Sequence, residues 1–142
     1  MNTPSRPPAG FRLFGFFLIF ATAMASLASF LLLKPGTILD RAWTLNPRAH
    51  AQFASLGPLI PWVGLAFLLM AILGVYTVRL WFQRRFRGWR IAVVAIALQA
   101  IGDAVNFVRG DHLAGLAGLL IASALLAFLF SRPVKAAFHR FA

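Results

Sequence analysis

The chain has 142 residues, of which 61% are hydrophobic and 12% are charged, whereas soluble domains are about half apolar and a quarter charged. A soluble fold of this size could not cover so much apolar surface, so the composition indicates a membrane protein. The net charge of +11 would suggest nucleic-acid binding in a soluble protein. Here the bases lie at the ends of apolar runs, and we expect membrane lipids and no nucleic acid as partners. The absence of cysteine excludes disulfides and thiolate chemistry.

The chain begins with a polar, proline-rich stretch, and we predict a cytoplasmic tail over residues 1–12. An uncharged apolar run then predicts a first transmembrane helix over about 13–33, ended by Lys34-Pro35-Gly36. A cleaved signal peptide is the alternative, since bases precede the run and Ala23-Met24-Ala25 resembles a cleavage site. The apolar run continues past this point, however, and exceeds the roughly 7–15 residues of a signal peptide.

Residues 34–57 form the longest connection, and we predict short helices here that lie on the outer membrane surface. Asn46 followed by Pro47 is typical of a helix N-cap and first helical position. Ala49 and Phe53 then begin an apolar helical face. Trp43 is expected at the level of the lipid headgroups.

Three further apolar runs predict transmembrane helices over about 59–80, 91–108 and 113–130. Trp62 is expected at one membrane interface and Trp81 at the other, because tryptophan favours the headgroup region. The chain then ends in a basic stretch, predicted as a cytoplasmic tail over residues 131–142.

The segment between the second and third spans is short and basic, with aromatic residues between the arginines. We predict that its arginines contact anionic lipid headgroups; they are Arg84, Arg85, Arg87 and Arg90. A docking site for an acidic cytoplasmic partner is the alternative.

The predicted fold is an all-α membrane protein: a bundle of four antiparallel transmembrane helices, with a short interfacial helical segment between the first two. Most bases lie on one side of the spans, so the positive-inside rule places both termini in the cytoplasm. The expected location is a bacterial inner membrane.

Small residues recur every fourth position on two of the spans, which favours close helix packing. These predicted packing residues are Ala21, Ala25 and Ser29 on the first span and Ala114, Gly118 and Ala122 on the fourth. The pattern does not distinguish packing within the chain from packing between copies.

The third span carries a polar stripe, because Gln99, Asp103 and Asn106 are spaced to share one helix face. A carboxylate inside the bilayer costs a few kcal/mol unless it is paired or neutralised, so Asp103 is a candidate functional residue. Three interpretations are open. The carboxylate could be structural, held by a base from the outer side or by neighbouring hydrogen-bond donors. It could line a path for protons or cations, or it could belong to a site at the outer surface.

An outer-surface site would need partners, and the predicted outer side holds two carboxylates and two imidazoles, namely Asp40, His50, Asp111 and His112. Their spacing matches no metal-binding motif, and no nucleophile elbow or phosphate-binding loop is present. We therefore predict no metal, no cofactor and no enzymatic activity.

In two stretches, Pro35 to Pro47 and Ile101 to Asp111, the chain resembles small four-helix bacterial inner-membrane proteins of unknown function. The resemblance implies the same topology and no particular activity.

The sequence therefore favours a non-enzymatic integral membrane subunit or accessory protein, packed in a homo-oligomer or a larger membrane complex. The alternative is a small channel or transporter that uses Asp103, Asn106 and Gln99.

Overall fold

The computed structural model describes residues 7–138. Its elements, in chain order, are α1 (Phe11–Leu33), a 3₁₀ helix (Ile38–Leu45), α2 (Pro47–Ala54), a second 3₁₀ helix (Gly57–Leu59), α3 (Ile60–Phe82), α4 (Phe86–Val108), α5 (His112–Phe130) and α6 (Arg132–Ala136). Residues 1–6 and 139–142 of the two predicted tails lie outside the described residues. These residues include the bases Arg6 and Arg140.

Among the described residues, four helices are long and apolar enough to cross a membrane: α1, α3 with the 3₁₀ turn before it, α4 and α5. The shortest, α5, has 19 residues and is about 28 Å long, close to the roughly 30 Å of a bilayer's hydrocarbon core. Residues 7–138 contain no β-strand. The predicted class, an all-α membrane bundle, is therefore confirmed.

The basic segment between α3 and α4 is mostly helical. α3 continues to Phe82, and α4 begins at Phe86 rather than at about Ile91, so the non-helical connection is only residues 83–85. Arginine side chains near a helix end can extend their charged groups to the headgroups, so these charges do not require a loop.

The turn itself closes α3 through backbone hydrogen bonds. The N–H of Arg85 donates to the carbonyl of Leu80 at 3.0 Å, and the N–H of Arg84 donates to the carbonyl of Trp81 at 2.8 Å. This is the Schellman pattern, which needs a left-handed residue after the helix. Arg84 takes that conformation, with φ 53°.

The chain divides into two compact units. The first unit contains the residues up to Gly15 and from Thr77 onward, and the second unit is Phe16–Tyr76. The first unit thus holds the start of α1, the end of α3, and all of α4 to α6.

In the second unit, α1 and α3 are antiparallel neighbours. The hydroxyl of Ser29 donates to the backbone oxygen of Gly64 at 3.0 Å, while Thr22 contacts Gly74. Later residues of α1 therefore meet earlier residues of α3. Both glycines let the helices approach closely, because a Cβ at either position would collide with the facing side chain.

The segment between α1 and α3 contains short helices, as the sequence predicted, while its position on the membrane surface stays a prediction. The side-chain oxygen of Asn46 accepts a hydrogen bond from the N–H of Ala49 at 3.1 Å, which confirms the predicted N-cap of α2. Trp43 stacks on His50, with ring centroids 5.2 Å apart, and also contacts Phe53. These rings join the first 3₁₀ helix to α2.

In the first unit, α4 and α5 are antiparallel. At one end the indole N–H of Trp89 donates to the carbonyl of Leu129 at 2.8 Å. At the other end Gly115 lies against the backbone of Phe107. The two helices are therefore in contact near both of their ends.

The core of the first unit is an aromatic cluster centred on Trp81, which is fully buried. Its indole stacks on Phe11 at 4.8 Å, and it also contacts Phe14 and Phe138. Phe128 joins the cluster through Phe14. Trp81 thus packs within the protein, and its N–H donates to the carbonyl of Phe11 at 3.1 Å. Its position at the membrane interface stays a prediction.

Candidate functional site

Asp103 lies in the C-terminal half of α4, a helix long and apolar enough to cross a membrane. α4 has 23 residues and is about 34 Å long, which places Asp103 about 7 Å along the axis from its C-terminal end at Val108. Gln99 lies one turn further from that end, about 13 Å along the axis. A helix of this length that spans a bilayer holds both residues at the depth of the hydrocarbon core.

The carboxylate of Asp103 is buried between α4 and α5, with 8% of the residue exposed. The side-chain N–H₂ of Gln99 donates to both carboxylate oxygens, at 3.2 and 3.3 Å. Across the helix pair, Gly118 lies directly against the carboxylate, and a Cβ there would collide with it. The glycine thus provides the space that the carboxylate occupies.

Within residues 7–138, the hydrogen bonds to Asp103 come from Gln99, and none is an ion pair. Arg109, at the C-terminal end of the same helix, makes no ion pair with it. The described residues therefore show a neighbouring hydrogen-bond donor and no paired base at Asp103. Whether the carboxylate is structural or functional stays a prediction.

The third member of the predicted stripe does not join this pair. Asn106 is exposed near the end of α4, and its backbone carbonyl accepts from the N–H of Asp111 at 3.1 Å. The predicted group therefore separates into a contacting pair, Gln99 and Asp103, and an isolated amide.

The structure also reveals an exposed stripe on α4 that the sequence analysis did not identify. Its members recur at helical spacing and are small or carry an amide: Ala95, Gln99, Gly102 and Asn106. Beside it runs an exposed apolar stripe, Val94, Leu98, Ile101 and Val105. The signal was available in the sequence, because Ala95 and Gly102 extend the polar stripe at the same periodicity.

The predicted small-residue rows are only partly at helix contacts. On α5, Ala122 is buried and Gly118 is half-buried, but Ala114 is exposed and the adjacent Gly115 makes the contact instead. Gly115 can replace Ala114 in this row because 3.6 residues make a helical turn, so Gly115, Gly118 and Ala122 share one helix face.

On α1, the three predicted packing residues differ in burial. Ser29 is buried, Ala25 is half-buried and Ala21 is exposed. The facing glycines of α3, Gly64 and Gly74, were not identified from the sequence, because their spacing matches no four-residue repeat.

The four predicted lipid-binding arginines also differ. Arg85, Arg87 and Arg90 are exposed, so their guanidinium groups can reach anionic headgroups. Arg84 is half-buried in the turn after α3, with its guanidinium carbon 6.0 Å from the centre of the Phe11 ring. Lipid contact by these residues stays a prediction.

The possible metal ligands that the sequence predicted for the outer side do not cluster among the described residues. Among residues 7–138, no group of three or more His, Asp or Glu side chains could hold a metal ion. His50 stacks on Trp43, and His112 packs edge-on against Phe107 at 5.0 Å. The carboxylate of Asp40 accepts a hydrogen bond from the N–H of Gly36 at 2.7 Å.

Comparison with protein-family models, with curated proteins and with solved structures finds no match for this chain. The resemblance to small inner-membrane proteins therefore stays a prediction.

We expect Asp103→Asn to leave the free energy of unfolding unchanged or to raise it. The substitution removes a buried charge that no ion pair offsets, while the new amide keeps an oxygen that accepts from Gln99. Titration of the purified protein with a denaturing detergent measures this, with Asp111→Asn as the control. A loss of more than about 1 kcal/mol would contradict it and indicate a base paired with Asp103.

Proposed function

We propose that this chain is a non-enzymatic integral membrane subunit or accessory protein, which packs against another membrane-spanning chain through the exposed stripe of α4. The observation that carries the proposal is the exposure of the Gln99 side chain at the depth of the hydrocarbon core.

An exposed amide at this depth favours protein contact over lipid contact. Lipid tails offer no hydrogen-bond partners, so an unsatisfied amide group there is costly. The hydroxyls of Thr22 and Ser26 avoid this cost by donating to the carbonyls one turn earlier on α1. Gln99 satisfies only its donor group, through Asp103, and its carbonyl oxygen accepts no hydrogen bond from any described residue.

The shape of the stripe supports the same proposal. Gly102 faces open space, since a Cβ built there meets nothing within 4 Å. Small residues beside a polar one allow another helix to approach closely, which strengthens both packing and interhelical hydrogen bonds.

The second candidate is a small channel or transporter. It is favoured by the buried carboxylate of Asp103, which no ion pair offsets among residues 7–138. The separation of Asn106 from Asp103 weakens it, because a conducting path needs polar groups in succession. The two candidates differ in whether water reaches Gln99.

The proposed location is a bacterial inner membrane, with both termini in the cytoplasm. The first unit supports this orientation, since the start of α1, the end of α3 and the start of α4 lie at one end of it. That end carries most bases of residues 7–138, namely Arg12, Arg79, Arg84, Arg85, Arg87, Arg90, Arg132 and Lys135. Positive charge of this density favours the cytoplasmic side and its anionic lipids.

Replacing Gln99 with leucine tests the proposal. We expect the parent chain, extracted in mild detergent, to form an assembly larger than its own 15.6 kDa. Gln99→Leu should dissociate about three- to thirtyfold more readily, because interhelical hydrogen bonds in membranes contribute about 0.6–2 kcal/mol.

Native gels and light scattering measure the assembly. Gln83→Leu is the matched control, since the same change is made at an exposed position in the turn before α4. A monomeric parent, or equal dissociation of the two variants, would contradict the proposal.

A further inference from the structure

We propose that the segment between α1 and α3 binds the headgroup of one zwitterionic phospholipid, which carries a primary ammonium and a phosphate. The site is a cleft of about 540 Å³, a size typical of small-ligand sites. The residues that line it are Pro35, Asp40, Trp43, Thr44, Pro47 and His50. All six belong to the second unit, and the inference is independent of the partner that packs on α4.

Two buried oxygen atoms at the start of the 3₁₀ helix Ile38–Leu45 have no hydrogen-bond partner among the described residues. They are the hydroxyl oxygen of Thr37 and one carboxylate oxygen of Asp40. The other Asp40 oxygen accepts from the N–H of Gly36 at 2.7 Å. Thr44 is satisfied, since its hydroxyl donates to the carbonyl of Arg41 at 2.6 Å. Buried polar groups are rarely left without a partner, so the carboxylate of Asp40 lacks a donor.

An ammonium group supplies the donor that Asp40 lacks. It has several N–H groups and the opposite charge, and charge-assisted hydrogen bonds are about twice as strong as neutral ones. No base of residues 7–138 takes that role, because Asp40 forms no ion pair with them. Trp43, which stacks on His50 at 5.2 Å, lines the same cleft, and an indole attracts ammonium through its π-electrons.

Three exposed bases flank the cleft, and they favour a phosphate joined to the ammonium. They are Lys34, Arg41 and Arg48, each the sequence neighbour of a residue that lines the cleft. None forms an ion pair within residues 7–138. A simple amine would be repelled by this positive charge, whereas an amine joined to a phosphate complements both signs. Arginine suits phosphate because its guanidinium forms paired hydrogen bonds.

The exposed apolar residues of the same segment favour a lipid as the source of this headgroup. Ile38, Leu39 and Leu45 are exposed on the 3₁₀ helix that carries Asp40 and Trp43. Exposed apolar side chains of a short helix become buried when it lies at a membrane interface, and tryptophan favours headgroup depth. In that position the cleft meets phospholipid headgroups directly.

Native mass spectrometry of the full-length chain in mild detergent tests the proposal. The protein is titrated separately with phosphatidylethanolamine, phosphatidylcholine and phosphatidylglycerol, and the lipids retained per chain are counted. We expect one retained phosphatidylethanolamine and about tenfold weaker retention of phosphatidylcholine, because its trimethylated nitrogen has no N–H to donate. Equal retention of these two lipids would overturn the proposal.

Asp40→Asn should weaken the retention of phosphatidylethanolamine at least about tenfold, while the retention of phosphatidylglycerol stays the same or rises. The variant removes the negative charge but keeps an oxygen for the N–H of Gly36. Asp111→Asn, the same change at the start of α5, is the matched control and should equal the parent for both lipids. Unchanged phosphatidylethanolamine retention in Asp40→Asn, or an equal loss of both lipids, would contradict the proposal.

Two further measurements test the phosphate contact and the source of the headgroup. The double variant Arg41→Gln, Arg48→Gln should lower phosphatidylethanolamine retention about fivefold or more, and unchanged retention would overturn the proposal. Soluble O-phosphoethanolamine at the concentration of the lipid should not displace it. If it does, the site binds a free amino-phosphate, and the assignment to a lipid fails.

Discussion

Replacing Trp81 with alanine is expected to lower the free energy of unfolding by about 3–5 kcal/mol, the largest effect of any single substitution considered for this chain. The indole is 0% exposed and contacts three phenylalanine rings with centroids 4.6–4.9 Å away. Its removal leaves a cavity between helix ends that are far apart in sequence. It also leaves the carbonyl of Phe11 without the indole donor, now at 3.1 Å.

The matched control is Trp62→Ala. Trp62 is 71% exposed at the start of α3, and its loss should change the free energy of unfolding by less than about 0.5 kcal/mol. Reversible unfolding of the purified variants in mixed micelles measures both values. Similar losses for the two tryptophans would mean that the aromatic cluster does not stabilise the fold.

Gly115→Ala is expected to have the second largest effect, a loss of about 1–3 kcal/mol. A Cβ on Gly115 would lie 2.6 Å from the backbone nitrogen of Phe107 and 2.7 Å from its Cα. Backbone atoms cannot rotate away as the end of a side chain can. The substitution must therefore push the end of α4 and the start of α5 apart, which weakens the packing of the whole pair.

The same substitution at Gly102 is the control, because a Cβ there meets nothing within 4 Å. In monomers at high dilution, Gly102→Ala should leave stability unchanged or raise it by up to about 1 kcal/mol, since alanine favours helix over glycine. Unfolding in micelles gives the comparison. A loss at Gly102 equal to that at Gly115 would show that helix packing is not the cause.

The membrane-spanning elements were predictable because their signals are local. An apolar run has to be about as long as the bilayer is thick, and its helical backbone satisfies its own polar groups. The N-cap Asn46 was predictable for the same reason, since its side-chain oxygen and the N–H that donates to it lie within one turn. The start of α4 was less certain, because arginine is compatible with a helix end and with a loop.

The candidate site was predictable only in part. The spacing of Gln99 and Asp103 is a property of one helix, and the structure brings the two side chains together. The spacing of Asn106 was equally suitable for joining these two residues, but α5 covers only one side of α4 and leaves Asn106 exposed. Which residues a helix face buries depends on where the neighbouring helix crosses it.

The sequence by itself therefore determined the class of protein, the number of spans and their approximate limits, because these follow from hydropathy and turn chemistry along the chain. Only the tertiary structure decided that Trp81 is a core residue, that Gly115 rather than Ala114 meets α4, and that Gly118 accommodates the carboxylate of Asp103. The reason is physical: lipid and protein are similarly apolar environments, so hydropathy separates membrane from water but does not distinguish the lipid-facing side of a helix from its packed side.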